Sequence, residues 1–220
     1  MRHYSTLTTV LLILVAGLAC TSKKTLPPVA PSTQAAAVQL GFAAGSIVAQ
    51  GSQPMELRKE SALGFARSEA DLFAFMGRLQ LSESDAAGVA SGMLDGFADP
   101  NPARGSQLIS DAMNQVMRRL EVSPYPELLW AFKVGYSLGH MAETVNVLTR
   151  GTPQPEHVQA YAALTARDRE TLQADLDQSG LPAELYDAIQ AMNLEIRSVS
   201  DLFAITSACL KIKGMVAQMQ

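Results

Sequence analysis

The chain is poor in the residues that common catalytic sites need. Among 220 residues there are three histidines and two cysteines. His3 lies in an N-terminal leader, so a processed chain keeps His140 and His157. Two histidines exclude a three-histidine zinc site and leave multi-histidine copper sites short of ligands. No Cys-x-x-Cys-His occurs, which excludes covalent c-type haem attachment. His-Glu-x-x-His, Gly-x-Ser-x-Gly and a phosphate-cradling glycine loop are also missing. The run DGFADPNPARG (95–105) lacks the oxygen-ligand spacing of a calcium loop and reads as a helix-ending turn. Basic residues are too few for a nucleic-acid surface: 17 Lys and Arg stand against 21 Asp and Glu, a formal net charge of −4.

Strand-like alternation is scarce, and helical spacing recurs along most of the chain. Leu202, Ile205, Cys209, Ile212 and Val216 step by three and four, so they share one face. Cys209 sits inside that stripe and reads as a small buried hydrophobe. Leu185, Ile189, Met192 and Ile196 form a second stripe, with Pro182 suited to its first turn. Ser179-Gly180 suits the end of the preceding helix. Helices are expected at about 35–50, 56–79, 83–97, 106–120, 126–149, 155–178, 182–197 and 199–217. Breaks fall at the glycine, proline and hydroxyl clusters GSQP, LSES, ADPNPARGS, EVSPYP, RGTPQP and QSGLP. The fold class is all-α.

The order of helices repeats. LGFAAGSIVA (40–49) returns as VGYSLGHMAE (134–143), LQLSESDAAGV (79–89) as SGLPAELYDAI (179–189), and ISDAM (109–113) as VSDLF (199–203). The expected architecture is a tandem pair of four-helix units, 35–122 and 123–220, packed as one pseudo-two-fold bundle. This period is far longer than that of a typical solenoid unit. Gly41 and Gly45 in one copy, and Gly135 and Gly139 in the other, are four apart and share a helical face. A glycine inside a helix costs up to about 1 kcal/mol against alanine. Close approach of another backbone compensates, so helices 35–50 and 126–149 are expected to cross at these four positions. Lys133, His140 and Glu143 in the second copy argue against a lipid-facing role. Gly88, Gly92 and Gly96 repeat the spacing and mark a second candidate crossing.

The N-terminus begins MRHYSTLTTVLLILVAGLAC, with Arg2 ahead of an apolar run from Val10 to Ala19. That run is too short to span a bilayer and reads as a secretory signal. AGLAC resembles the lipobox of bacterial lipoproteins, although Gly17 stands where a branched residue is favoured. The resemblance implies a signal peptide at 1–19, cleavage before Cys20, and acylation of Cys20. By the same resemblance, the absence of Asp at position 21 points to the outer membrane. Residues 20–34 (CTSKKTLPPVAPSTQ) then read as the lipidated cysteine and a flexible tether. With Cys20 acylated, Cys209 has no disulfide partner in the chain.

His140 and Glu143, three apart, are the candidate ligand pair on a helix. Imelysin-like envelope proteins carry Gly-x-His-x-x-Glu; here the glycine is one place off, and the rest of the chain gives that family no support. Glu69 and Asp168 lie near apolar stripes, and a bundle would bring them to His140 as an acidic metal or proton-handling site. Trp130 is a candidate for lining a groove between the halves. The expected function is a non-enzymatic, outer-membrane-anchored periplasmic lipoprotein. It would bind another envelope protein or assemble with its own copies, without nucleic acid and without a required cofactor. The alternative is a helical-bundle carrier of a metal, haem or apolar ligand centred on His140.

Overall fold

The structure is a computed structural model that describes residues 28–51, 83–150 and 154–219. The leader, Cys20, the expected helix at 56–79 and Glu69 lie outside the described residues. Among the described residues the chain is all-helical, with eight helices: α1 (Pro31–Gly51), α2 (Glu83–Ala98), α3 (Pro102–Glu121), α4 (Glu127–Leu148), α5 (Pro155–Leu164), α6 (Ala166–Gln178), α7 (Ala183–Gln190) and α8 (Val199–Gln218). None of them is long and apolar enough to cross a membrane.

Helix α1 begins earlier than its apolar run, because Pro31 takes its first turn and Thr33 and Gln34 donate backbone bonds to the Ala30 carbonyl at 2.9 and 3.1 Å. The expected tether therefore gives up residues 31–34 to the helix. From Gln34 to Gly51 every residue except Val48 is buried. A helix apolar on all sides belongs at the centre of a bundle, and α4, α3 and α8 pack around α1.

The α1/α4 contact is made by backbone. A Cβ built on Gly41 would overlap the Phe132 carbonyl oxygen and lie 2.7 Å from Tyr136 N; one on Gly45 would overlap the Tyr136 carbonyl and lie 2.6 Å from His140 N. In the other direction, Gly135 abuts the Val38 carbonyl and Gly139 the Phe42 carbonyl. The contact numbers rise together on both helices, so α1 and α4 run parallel. A shift of 94 positions exchanges the two sets of contacts: Gly41 on Phe132 becomes Gly135 on Val38, and Gly45 on Tyr136 becomes Gly139 on Phe42. Glycine Cα–H groups held against carbonyl oxygens supply weak hydrogen bonds that larger residues would block.

Helix α3 packs on both α1 and α4, and so does α8. Ile205, Cys209, Ile212 and Val216 on α8 repeat the buried spacing of Ile109, Met113, Val116 and Leu120 on α3, a shift of 96. The sequence pairing of ISDAM with VSDLF sets buried Met113 against half-exposed Phe203 instead. Of the second glycine series, Gly96 lies against the Gly105 carbonyl of α3 and Gly92 against Ala112, whereas Gly88 meets only the tip of the Gln115 side chain.

Three further element boundaries differ from expectation. The expected helix 155–178 is two helices, parted at Thr165. The Thr165 hydroxyl donates to the Tyr161 carbonyl at 2.9 Å, and the Arg169 guanidinium reaches back to the Ala162 carbonyl at 2.8 Å. Such back-bonding to the i−4 carbonyl bends helices. The expected helix 182–197 ends at Gln190. Asn193 Oδ1 accepts the Glu195 N–H at 3.0 Å, and Asp201 takes the N–H groups of Arg197 and Ser198 into the capping box of α8. Between them Met192, Leu194 and Ile196 are half-buried while Asn193, Glu195 and Arg197 are exposed, which is the alternation of an extended segment. Helix α3 starts at Pro102 rather than 106, because Asn101 Oδ1 accepts from Ala103 N and Arg104 N and Pro102 takes N1.

Candidate functional site

Polar residues recur on α4 at Lys133, Tyr136 and His140, a spacing of three and four on one face. Helix α6 carries the same spacing at Asp168, Thr171 and Asp175. The two helices pack together so that the last residue of the first set meets the first residue of the second. Helix α3 stands on the other side with Ser106, Ser110, Met113, Asn114 and Met117. The three helices enclose a cleft of about 470 Å³, lined also by Val48 of α1. Phe132 and Leu164 add apolar wall. Pockets for small molecules run from about 300 to 1,000 Å³ and combine apolar walls with a few convergent polar groups.

The best-formed polar contact is His140 Nδ1 to Asp168 Oδ2, at 2.7 Å, with both side chains largely buried. Asp168 lies in the first turn of α6, where the helix dipole favours a carboxylate. With Nδ1–H donated to Asp168, the imidazole is fixed in orientation and its Nε2 is left for another partner. The Tyr136 ring stacks on the imidazole, with centroids 6.0 Å apart and planes 9° from parallel. Burial, first, and the Asp168 charge push the Tyr136 hydroxyl up to about 12, against the opposing pull of Arg167. That hydroxyl therefore remains a proton donor at physiological pH. Asp175 is buried, and desolvation raises its carboxyl above the ordinary range, tempered by Lys133, the Thr171 hydroxyl and Arg167. The Lys133 ammonium rests over the Trp130 ring, 4.0 Å from its centroid. Trp130 thus holds a cleft residue in place and is not itself part of the lining.

The structure brings His140 and Asp168 together and separates Glu143 from both. Glu143 turns toward Gln50, and Asn146 donates to it at 3.3 Å; burial raises its carboxyl, and hydrogen bonds from Gln50 and Asn146 oppose that rise. Glu69 lies outside the described residues. Among the described residues, the expected grouping of His140, Glu143 and Asp168 is therefore reduced to the His140–Asp168 pair. Among the described residues no group of three or more His, Cys, Asp or Glu is placed to hold a metal ion. Cys209 is fully buried and unpaired by any disulfide, its thiol pushed up to about 12 by burial. Sequence reasoning passed over Lys133, Tyr136, Arg167 and Asp175 as cleft residues. The signal was the duplicated three-and-four polar spacing on α4 and α6, which a search for metal motifs does not register.

No protein-family model matches the chain, and no curated protein or solved structure is significantly similar to it.

Proposed function

We propose that this chain is an outer-membrane-anchored periplasmic lipoprotein whose helical domain is a non-enzymatic binding module. The lipobox-like AGLAC supports the anchor. Two occupants compete for the module: a protein partner, or a small ligand held in the bundle beside His140. The ligand reading is favoured by one observation, the cleft between α3, α4 and α6 with the His140–Asp168 pair in its wall. A flat or filled helix junction would have favoured a protein partner. The cleft mixes fixed polar groups with Met113, Met117 and Phe132, a composition suited to a small amphipathic molecule.

Two experiments test the reading. Cys20→Ser should move the protein from the membrane fraction to the soluble periplasmic fraction; unchanged membrane attachment would overturn the anchor. A small-molecule library read by thermal shift on the purified protein should yield stabilising compounds, because a ligand that binds only the native state raises its stability by mass action. Ser110→Trp, on the exposed α3 rim, should abolish those shifts without loss of helicity. A library without hits, or hits that persist in Ser110→Trp, would overturn the ligand reading.

A further inference from the structure

The cleft lining carries charge of both signs, and only part of it is paired internally. His140 and Asp168 satisfy each other at 2.7 Å. Asp175, buried on the same face of α6 two turns later, has no cation within 4.0 Å among the described residues. Lys133 and Arg167 line the same cleft and have no carboxylate within that distance among the described residues. Both are near enough to favour the charged form of Asp175, yet neither closes on it. The Tyr136 hydroxyl meets no acceptor among the described residues and stays protonated. A buried carboxylate without a bonded cation is costly, because the interior gives back little of the solvation it has lost. Counted among the described residues, the cleft holds one unpaired anionic group and two unpaired cationic groups, and a ligand that brings both signs completes it.

We propose that the cleft binds a small zwitterion carrying an ammonium and a carboxylate, of the α-amino acid or short-peptide class, with an apolar side chain. Asp175 receives the ammonium, and Lys133 and Arg167 receive the carboxylate, with the Tyr136 hydroxyl as a further donor. Met113, Met117, Phe132 and Leu164 form the wall for the side chain. A lone anion would leave Asp175 buried without a bonded cation, and a lone cation would leave Lys133 and Arg167 without a carboxylate. This inference rests on the ligand reading of the cleft and specifies the class of ligand.

Isothermal titration of the purified full chain separates the alternatives with four probes: L-leucine, L-leucyl-L-leucine, 4-methylpentanoate and isopentylamine. The two zwitterions differ in length, and whichever binds more tightly identifies a free amino acid or a peptide as the preferred source. The expected result is that the better zwitterion binds at least about tenfold more tightly than either single-charge analogue. Asp175→Asn should weaken the zwitterion by about tenfold and leave 4-methylpentanoate nearly unchanged, and Arg167→Gln, at an exposed position, should weaken the zwitterion without further weakening isopentylamine. Circular dichroism of both variants controls for folding. Equal affinity for a zwitterion and either analogue, an unaffected zwitterion in folded Asp175→Asn, or no heat from any probe up to about 10 mM would each overturn the zwitterion assignment. The ligand reading would survive those results if the library yields hits that Ser110→Trp abolishes, and would fall only if that screen failed as well.

Discussion

Replacing Gly139 with alanine should destabilise the protein, although alanine is the better helix former by about 1 kcal/mol. An added Cβ would overlap the Phe42 carbonyl oxygen and sit 2.7 Å from its carbon and 2.8 Å from Phe42 Cα. All three are backbone atoms of a helix buried on nearly every side, so no side chain can rotate away. Ordinary carbon contacts lie near 3.5–4.0 Å, so α1 and α4 must part by roughly 1 Å. A radial gap of that size forfeits about a quarter to a half of the dispersion well at each contact along the seam. Overpacking a tight core costs about 1–3 kcal/mol, occasionally more. The seam belongs at the upper end, because it is made of backbone and shared by four glycines. Set against the propensity gain, the net loss should be about 2 kcal/mol. Gly214 supplies the control. It lies inside α8 with nothing within 4 Å of a built Cβ, so Gly214→Ala should stabilise by about 0.5–1 kcal/mol. The assay is urea unfolding, read as a change in midpoint at constant slope. Gly45→Ala placed on top of Gly139→Ala should cost less than it does alone, because the first substitution has already separated the helices. If Gly139→Ala raised the midpoint as much as Gly214→Ala, the backbone-contact account of α1 and α4 would be refuted.

Three further predictions concern single groups. Burial raises the Glu143 carboxyl above its unfolded value, so the native state binds its proton first as pH falls, and ionisation at neutral pH works against folding. Glu143→Gln should therefore raise the urea midpoint at pH 7, also because the new amide brings a donor to the buried Gln50 Oε1, which has no partner among the described residues. That gain should shrink as the pH falls through the raised native value and be gone below the ordinary carboxylate value of 4.5, and a gain that grew in acid would contradict the sign. In a Cys20→Ser chain, the Cys209 thiol, raised to about 12 and fully buried, should react with Ellman's reagent only once urea unfolds the protein. Immediate labelling in the native state would contradict its placement. Asn101→Ala should cost about 1 kcal/mol through loss of the α3 cap, measured by the same unfolding curves.

The helical class and most helix boundaries follow directly from apolar periodicity, and the α8 stripe of Leu202, Ile205, Cys209, Ile212 and Val216 is buried as its spacing implies. Periodicity misleads at Met192 and Ile196. Those positions satisfy a helical spacing and a two-residue alternation equally well, and the Asn193 and Asp201 side-chain bonds select the extended form. Thr165 is similar: its neighbours fit one continuous helix, and the break comes from hydrogen bonds that no periodicity encodes. The early start of α3 was written in Asn101-Pro102, a cap followed by an N1 proline. Within the cleft, His140 and Asp168 stand out in the sequence because each is an ionisable residue in apolar surroundings. Their pairing across 28 positions depends on the antiparallel seating of α6 on α4. Lys133, Arg167 and Asp175 look like ordinary surface charge until that seating is known.

The seam between α1 and α4 also dictates an order of events during synthesis. Phe132, Tyr136 and the glycines that meet α1 all lie beyond residue 130, so α1, buried on nearly every side, emerges long before the helix whose backbone fits against its glycines. Until α4 arrives, the apolar surface of α1 is uncovered, and transiently exposed surface of that kind is aggregation-prone. Cutting the chain at 122 to isolate a first half would preserve that condition permanently. Helix α1 depends on α4, and a fragment that keeps both helices whole extends through Leu148.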